Sequence, residues 1–381
     1  MTRSAQLQAD RGNPRLKFLD RYCGIPLVAI LGVGRRLRGR RTVPADWRTV
    51  GLFVTSGIGD TVVATGVMRD LRAARPDVRI VLFVTANNAS FAKTLAIPDA
   101  VVELPVRQVP TAVQMVRAEQ CDVVIDLSAW RRYDAVLAAL SGARATVGRR
   151  TPGQHRDSAY DIAIAHRRDH ELDNDRRLVS ALGLSDAQLI SAPLLELPAG
   201  VPRPLAAPYV VLHLWPGGAN FEERSWPVDR WRELAEAMNA RGLDIVLTGG
   251  PGDVDVCTRL ARRWSESGLR ARSVAGADWP ETFAWLGFAA GVVSVNTGIM
   301  HVAAALGAPT VALNGPTSAA RWAPIGPHTR CVASPVVPDG YLDLGFERDP
   351  RFTDCMEAIT VDAVVSAWDD LRAEVTATGD E

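Results

Sequence analysis

Hydrophobic and polar positions alternate along this chain in two similar blocks. Short apolar runs predict buried strands at 50–54, 79–84, 122–126, 209–213, 244–248, 292–295 and 310–313. Amphipathic stretches between these runs predict helices at 61–74, 228–241, 254–267, 281–289 and 298–306. This alternation is typical of parallel, doubly wound sheets with helices on both faces, so we assign the chain to the α/β class.

The pattern is interrupted in the middle of the chain. Between residues 130 and 195 it weakens and Arg- and His-rich sequence appears, and a Pro-rich stretch at 197–208 (LPAGVPRPLAAP) then predicts a linker. We therefore predict a Rossmann-like domain over 48–200 and a second over 201–355. Apolar residues of 356–381 share one helical face, which predicts a C-terminal helix capped by Thr360.

Residues 1–47 form a separate basic and apolar arm. Its segment 16–41 (LKFLDRYCGIPLVAILGVGRRLRGRR) has an apolar part too short to span a bilayer core of roughly 30 Å. The arginines follow the apolar run, which is not the order of a secretory signal. Two interpretations stay open. The arm lies on anionic lipid, which implies a cytoplasmic protein held peripherally at the inner face of the plasma membrane, or it packs against the first domain.

Composition excludes some classes of function. Lys+Arg and Asp+Glu both number 43 among 381 residues, so no overall positive field favours a nucleic-acid partner. The first 50 residues nevertheless hold eleven Lys/Arg against three Asp, which concentrates positive charge in the arm. The five cysteines and six histidines show no metal-ligand spacing, so we predict no metal.

The segment 292–316 (VVSVNTGIMHVAAALGAPTVALNGP) carries the most specific motif. The turn Asn296-Thr297-Gly298 puts backbone N–H groups at a helix N-terminus, where anions such as diphosphates bind. Together with Arg321-Trp322, this segment resembles the donor-site signature of glycosyltransferase family 9, the heptosyltransferases. Many members have Asp at the position of Asn296; asparagine keeps the hydrogen-bonding reach and loses the charge.

The segment 56–72 (SGIGDTVVATGVMRDLR) resembles the opening motif of the same family. From the residues alone, Asp60 is a helix cap, and the Gly-x-Gly lacks the third glycine of a dinucleotide site. The resemblance implies that Asp60 is the catalytic base, and a helix N-terminus is expected to keep its carboxylate ionised. Ser56, Gly57 and Gly59 are then candidate acceptor-side residues.

Two further turns supply donor-side candidates. The turn 213–220 contains Gly217, and the following ERSWP segment resembles a family motif whose basic residue, here Arg224, contacts the donor diphosphate. Without the resemblance, Arg224 is a solvated charge beside a helix. His301 either reaches the sugar or diphosphate or is a core histidine.

The turn 248–253 contains Gly249, Gly250 and Asp253, which are candidates for the nucleoside side of the donor; Asp253 alternatively caps the next helix. In the first domain, the basic segment 142–155 with Arg149 and His155 is either an acceptor-side cluster for an anionic glycan or lipid phosphate or an exposed basic loop.

The resemblance implies a GT-B architecture, in which two Rossmann-like domains face across a cleft and the C-terminal helix packs back toward the first domain. It implies an inverting, metal-independent transferase without a cofactor. The partners implied are a nucleotide-diphosphate sugar of the ADP-heptose type and a glycan or glycolipid acceptor of lipopolysaccharide or another cell-surface glycan. Two alternatives remain: a sugar-nucleotide epimerase or hydrolase, and a non-catalytic module that binds a nucleotide sugar.

Overall fold

The computed structural model describes residues 14–217, 221–342, 347 and 349–379, and the chain forms two compact units that meet between Pro193 and Leu194. The boundary between the units thus lies before the predicted linker at 197–208, since residues at the start of that linker bond and pack within the second unit. The Leu195 N–H donates to the carbonyl oxygen of Ala305 (2.9 Å), and Leu197 packs against Gly287.

The first unit contains a six-stranded parallel sheet in the order β3-β2-β1-β4-β5-β6. Its strands are β1 Thr49–Phe53, β2 Arg79–Val84, β3 Ala100–Glu103, β4 Val123–Asp126, β5 Ala145–Arg150 and β6 Ile162–Ala165. Its helices are α1 Pro14–Tyr22, α2 Gly24–Arg38, α3 Ile58–Ala74, α4 Ala89–Ala92, α5 Val109–Ala118, α6 Arg132–Leu140 and α7 Glu171–Ser180. The central strands are buried along nearly their whole length, which is why the sequence shows continuous apolar runs there.

The second unit repeats this plan with a six-stranded parallel sheet in the order β12-β11-β10-β7-β8-β9. Its strands are β7 Tyr209–His213, β8 Asp244–Thr248, β9 Ala271–Ser273, β10 Gly291–Val295, β11 Thr310–Asn314 and β12 Thr329–Ala333. Its helices are α8 Val228–Ala240, α9 Val254–Glu266, α10 Trp279–Gly287, α11 Gly298–Ala305, α12 Ala319–Trp322 and α13 Val361–Thr378. Both sheets thus have the Rossmann strand order, and in both the order reverses beside the first strand.

The region 130–195 is more regular than its polar sequence predicts. It contains α6, β5, β6 and α7, and its charged side chains are buried in pairs, Arg149 with Glu171 and Asp175, and Arg156 with Asp126. Because these charged residues occupy buried positions, the apolar periodicity from which helices and strands are predicted is interrupted there.

The C-terminal helix α13 packs on the second unit's own sheet, against β11, β12 and α8. Val364, Trp368 and Leu371 are buried there, and the Trp368 ring lies so close to Gly291 that a Cβ on Gly291 would be 2.6 Å from it. The apolar face of α13 is therefore used within the second unit, and the predicted packing of this helix toward the first domain stays a prediction. Thr360 does cap the helix, since its Oγ1 accepts from the Ala363 N–H at 3.2 Å.

The N-terminal arm belongs to the first unit, where α1 and α2 pack against α6 and the turn 157–159. The Asp20 carboxylate accepts from the backbone N–H groups of Arg132 and Tyr133 (2.9 and 3.0 Å), so α1 caps the N-terminus of α6. One face of the arm therefore packs on the first domain, and contact of the arm with lipid stays a prediction. In the part of the chain that the structure describes, no helix is both long enough and apolar enough to cross a bilayer.

Candidate active site

Asp60 lies in the loop that follows the central strand of the first sheet. Strand β1 ends at Phe53, and helix α3 begins at Ile58, with the Thr61 N–H and hydroxyl both bonded to the Gly57 carbonyl oxygen (3.1 and 2.8 Å). Asp60 is the third residue of this helix. Its carboxylate folds back toward Gly57. Asp60 Oδ2 lies 3.5 Å from the position that a Cβ on Gly57 would occupy.

Neighbouring loops hold this turn rigidly. The Asn88 side-chain amide donates to the Val54 carbonyl oxygen (2.7 Å) and to Thr61 Oγ1 (2.8 Å). Thr55, which precedes Ser56, and Ser128, which follows β4, both donate their hydroxyls to Asp134 Oδ2 at 2.6 Å. The loops after β1 and β4 are therefore joined where the strand order reverses, the position at which such sheets bind ligands.

The surroundings of Asp60 raise its pKa. Burial is the largest cause and the Glu171 carboxylate adds to it, while the Arg149 and Arg131 guanidinium groups oppose them; the resulting pKa is about 6. The effect of burial thus outweighs the helix N-terminus that the sequence analysis emphasised. A carboxylate with this pKa is still mostly ionised at pH 7 and accepts a proton more readily than an ordinary aspartate.

Arg149 is enclosed by acidic side chains of the first unit, and its acceptor-side role stays a prediction. It belongs to strand β5, is only 2% exposed, and bonds to both Glu171 and Asp175 of α7. His166 Nε2 lies 3.0 Å from the other oxygen of the Glu171 carboxylate. Arg149 therefore acts inside the fold, as a positive charge close enough to lower the pKa of Asp60.

His155 lies on an exposed turn after β5, with a left-handed backbone (φ 53°). Among the described residues, no hydrogen bond joins it to the Asp60 loop. Its acceptor-side role stays a prediction, as do those of Ser56, Gly57 and Gly59.

Arg224 lies at the corresponding place in the second unit. Its Nη1 donates to the Gly217 carbonyl oxygen (2.9 Å), in the loop after β7, and its Nη2 donates to the Asn296 carbonyl oxygen (2.7 Å), in the loop after β10. Strands β7 and β10 are the neighbours between which this sheet reverses its order. One guanidinium group therefore spans both loops at the predicted ligand-binding position. The rest of the predicted glycine turn, residues 218–220, lies outside the described residues.

Asn296 uses its side chain within the protein. Its Nδ2 donates to the Trp322 carbonyl oxygen at 3.1 Å, a bond for which a carboxylate has no donor. The residue that departs from the family pattern thus ties the loop before α11 to helix α12. His301 is buried on α11 and lies edge-on to the Trp322 ring with a centroid distance of 6.2 Å, which fits the core-histidine interpretation.

The N-terminus of α11 follows Asn296 directly. Thr297 is the N-cap residue in an extended conformation (φ −160°, ψ 173°), and its side chain makes no capping bond to the first turn starting at Gly298. The first-turn N–H groups are therefore not satisfied by the cap side chain, which is the arrangement that an anion completes.

Asp253 is the N-cap residue of α9, but its side chain makes no capping bond to that helix and closes the turn after β8 instead. Asp253 is buried, and its Oδ2 accepts from the Gly250 N–H at 3.0 Å. A Cβ on Gly249 would lie 2.7 Å from the Asp253 Cβ, so this turn needs glycine for close approach. The nucleoside-side role of Gly249, Gly250 and Asp253 stays a prediction.

Sequence reasoning missed the residues that hold and tune Asp60. Glu171, His166, Asn88 and Asp134 are separated from it by long stretches of chain and belong to no motif. The acidic and polar residues at strand ends were the only available signal, and this signal is common to many α/β proteins.

Two successive Rossmann-type sheets, each with ligand-type loops where its strand order reverses, are the plan of the GT-B class of proteins. A family model described as glycosyltransferase family 9 (heptosyltransferase) matches residues 113–339. The lipopolysaccharide heptosyltransferase 1 of Pseudomonas aeruginosa is 31% identical over 296 residues, covering 70% of this chain and 78% of that protein. This chain therefore belongs to glycosyltransferase family 9.

Solved structures support the same fold. The E. coli ADP-heptose lps heptosyltransferase II superposes with a TM-score of 0.68 at 19% identity, covering 86% of this chain and 99% of that one. E. coli heptosyltransferase WaaC with ADP gives a TM-score of 0.67 at 20% identity, covering 85% and 99%. The family assignment favours a transferase over the epimerase, hydrolase and binding-module alternatives.

Proposed function

We propose that this enzyme transfers a heptose-type sugar from an ADP-linked donor to a hydroxyl of a lipopolysaccharide-type glycolipid acceptor, with inversion at the anomeric carbon. The observation that carries the proposal is Arg224, which joins the two loops at the sheet reversal directly before the open N-terminus of α11. A fixed guanidinium beside a helix N-terminus that its N-cap side chain does not cap suits a diphosphate leaving group. The names of the similar heptosyltransferases supply the sugar, the nucleotide and the acceptor class.

In this reaction the acceptor oxygen attacks the anomeric carbon while the carbon–diphosphate bond breaks. The Asp60 carboxylate takes the proton of the acceptor hydroxyl as the oxygen attacks. Arg224 and the N-terminus of α11 stabilise the negative charge that develops on the departing nucleoside diphosphate, and the residues present can do so without a metal. Because the acceptor oxygen attacks on the face opposite to the departing diphosphate, this single displacement inverts the anomeric carbon.

A thermal-shift panel of ADP, UDP and GDP and their sugars tests the donor. A ligand that binds only the native state raises the melting temperature, so ADP-heptose and ADP are expected to give the largest shifts. A product assay with and without a lipopolysaccharide-core acceptor then tests transfer. A larger shift with UDP or GDP would contradict the proposed nucleotide, and sugar release or epimerisation without acceptor would contradict transfer.

Arg224→Ala is expected to weaken ADP binding by about 10- to 150-fold, since a hydrogen bond to a charged group contributes about 1.5–3 kcal/mol. Calorimetry with ADP measures the effect. Arg232→Ala is the matched control, because Arg232 is an exposed arginine of α8 paired with Glu236, and its removal should leave the Kd unchanged. Equal affinities of the Arg224 variant and the natural protein would remove the arginine from the donor site.

Turnover is expected to fall on the acid side with an apparent pKa near 6. Burial raises the pKa of Asp60 to about 6, so the carboxylate becomes protonated as the pH falls through that value and can no longer accept a proton. Saturating kcat measured from pH 5 to 8 tests this, with the melting temperature followed in parallel. A kcat that stays flat down to about pH 4 would show an ordinary, solvated carboxylate instead.

A further inference from the structure

The N-terminal arm has two faces with different partners. Its inner face is docked on the first unit, where Val28, Gly32 and Arg35 of α2 are buried. Glycines permit close packing there. A Cβ on Gly24 would lie 2.8 Å from the Arg132 Cβ, and a Cβ on Gly32 would lie 2.8 Å from the Ser158 Cβ. The inner face of the arm is therefore closely packed against the first unit.

The outer face of the arm is apolar and exposed. Its residues are between 39 and 84% exposed, and they are Phe18, Leu19, Tyr22, Leu27, Ile30, Val33 and Leu37. Successive helical residues are about 100° apart, so Ile30, Val33 and Leu37 lie on the side of α2 opposite to the buried residues. The Phe18 and Tyr22 rings pack together at a centroid distance of 4.2 Å and extend the face onto α1. The exposed apolar residues of the described chain are concentrated here, because seven of the twelve large ones belong to this arm.

Positive charge borders this outer face. Arg36 and Arg38 are exposed on the two sides of the Ile30–Leu37 stripe, Arg40 follows at the end of the helix, and Arg21 is exposed on α1. Helical spacing of about 100° per residue puts Arg36 and Arg38 roughly a quarter turn from the stripe on either side. An apolar stripe with arginines along its edges is the pattern of a helix that lies in the headgroup region of an anionic bilayer.

The dimensions fit a helix lying along a surface. Helix α2 has 15 residues and is about 22 Å long, shorter than a hydrocarbon core of about 30 Å. Its inner face is also held by protein, so the arm presents one side only. Arginine side chains are long enough to reach phosphates while the apolar residues enter the acyl boundary.

We propose that the outer face of the arm docks the enzyme on the surface of a bilayer that contains anionic lipids. Ile30, Val33, Leu37 and the aromatic pair enter the interface, and Arg21, Arg36, Arg38 and Arg40 bind lipid phosphates. The first unit, which carries Asp60, is then held at the membrane through its own rigidly packed helices. This inference is independent of the sugar and nucleotide proposed above, since it concerns binding to lipid alone.

Co-sedimentation of the full chain with vesicles tests the proposal without donor or acceptor. We expect binding to phosphatidylcholine vesicles that contain about a quarter of phosphatidylglycerol, and little binding to phosphatidylcholine alone. Binding should weaken as salt is raised, because screening shortens the range of the arginine charges. Equal binding to both kinds of vesicle, or none to either, would overturn the proposal.

Two variants separate the apolar and charged contributions. Ile30→Glu/Leu37→Glu should weaken binding at least about tenfold, since it removes two inserted side chains and adds repelled charge. Arg36→Gln/Arg38→Gln/Arg40→Gln should weaken it by about a hundredfold, at roughly fivefold for each arginine. Neither change touches the buried inner face, so the melting temperature should stay within a few degrees.

Ile190→Glu/Leu194→Glu is the matched control for the apolar variant. These two residues are 74 and 46% exposed and lie outside the arm, so the same charges are added elsewhere and binding should not change. Sedimentation velocity at rising concentration provides a second control. A chain that self-associates through Ile30 and Leu37 and ignores vesicles would identify a second copy as the occupant and contradict the proposal.

Discussion

Asp60→Asn is expected to lower kcat by about 10²- to 10⁴-fold, the contribution that a positioned general base makes. Asparagine has nearly the same shape but does not accept the proton of an acceptor hydroxyl. Calorimetric affinity for ADP should stay within about twofold, since the donor contacts proposed here come from Arg224 and α11. Steady-state turnover at saturating donor and acceptor, with single-turnover measurement of the chemical step, checks the effect.

The stability of this variant serves as its own control. Burial raises the pKa of Asp60 to about 6, so the native state binds more protons than the unfolded state between about pH 4 and 6, and ionised Asp60 disfavours the fold at neutral pH. Asp60→Asn should therefore melt no earlier than the natural protein at pH 7. A large fall in kcat without a fall in stability separates catalysis from folding.

Asp70→Asn is a matched variant on the same helix. Asp70 is buried and accepts hydrogen bonds from the Ile190 and Ser191 N–H groups (3.1 and 2.7 Å). Asparagine keeps the Oδ1 acceptor but replaces Oδ2, which pairs with Arg176 Nε at 3.5 Å, by an amide NH2 group. The melting temperature should therefore fall, while kcat of the folded enzyme stays nearly unchanged. Near-natural turnover of Asp60→Asn, or an equal loss in both variants, would contradict the role assigned to Asp60.

Seven of the twelve strands were predictable because their residues are mostly apolar. Strands β2, β7 and β8 have the bounds expected from the sequence, β4, β10 and β11 differ by one residue at one end, and β1 is shifted by one residue. The other five, β3, β5, β6, β9 and β12, were missed, because β5 contains Arg149 and Arg150 and the other four are only partly buried. Arg149 can be buried because it pairs with carboxylates that are distant in sequence, and the residues around Arg149 in the sequence do not indicate that pairing.

The residues of the candidate site that belong to sequence motifs were predictable, whereas their contacts with residues outside those motifs were not. Asn296 and Arg224 were identified separately, and the structure brings them together because the loops after β7 and β10 are neighbours at the sheet reversal. The pKa of Asp60 was not predictable, because Glu171 and Arg149 are far away in sequence. Local reasoning weighed only the helix N-terminus, whereas burial has the larger effect.

Arg149→Met is expected to lower the free energy of unfolding by about 3–5 kcal/mol at pH 7, because it leaves the buried acidic side chains of Glu171 and Asp175 without their hydrogen-bonded cation. Arg149 is bonded to Glu171 and Asp175, all three are nearly inaccessible to solvent, and methionine has similar length without charge. Urea unfolding followed by circular dichroism measures the loss. Arg144→Met is the matched control, since Arg144 is half exposed and pairs with Asp46 at the surface, where an ion pair contributes about 0–1 kcal/mol.

The pH dependence of the Arg149→Met variant distinguishes lost charge from lost packing. Burial raises the pKa of Asp175 to about 8, with Arg149 opposing it, so the native state binds more protons than the unfolded state between about pH 4 and 8 and stability falls as pH rises through that range. Without Arg149 the pKa of Asp175 should rise further, so the fall in stability should continue above pH 8 instead of levelling off. The stability deficit of the variant should therefore grow between pH 7 and about pH 9; a deficit independent of pH would indicate lost packing alone.

The same variant connects this buried cluster to the proposed base. Arg149 is the main positive charge that lowers the pKa of Asp60, while Glu171 raises it. Removing the arginine should move the acid limb of the pH–kcat profile to higher pH, and Arg149→Met/Glu171→Gln should move it back, since the opposing carboxylate is then neutral. A structural role alone would reduce the amount of folded enzyme without moving the limb. An unmoved limb in the folded Arg149→Met protein would therefore show that the cluster stabilises the first unit but does not set the proton affinity of Asp60.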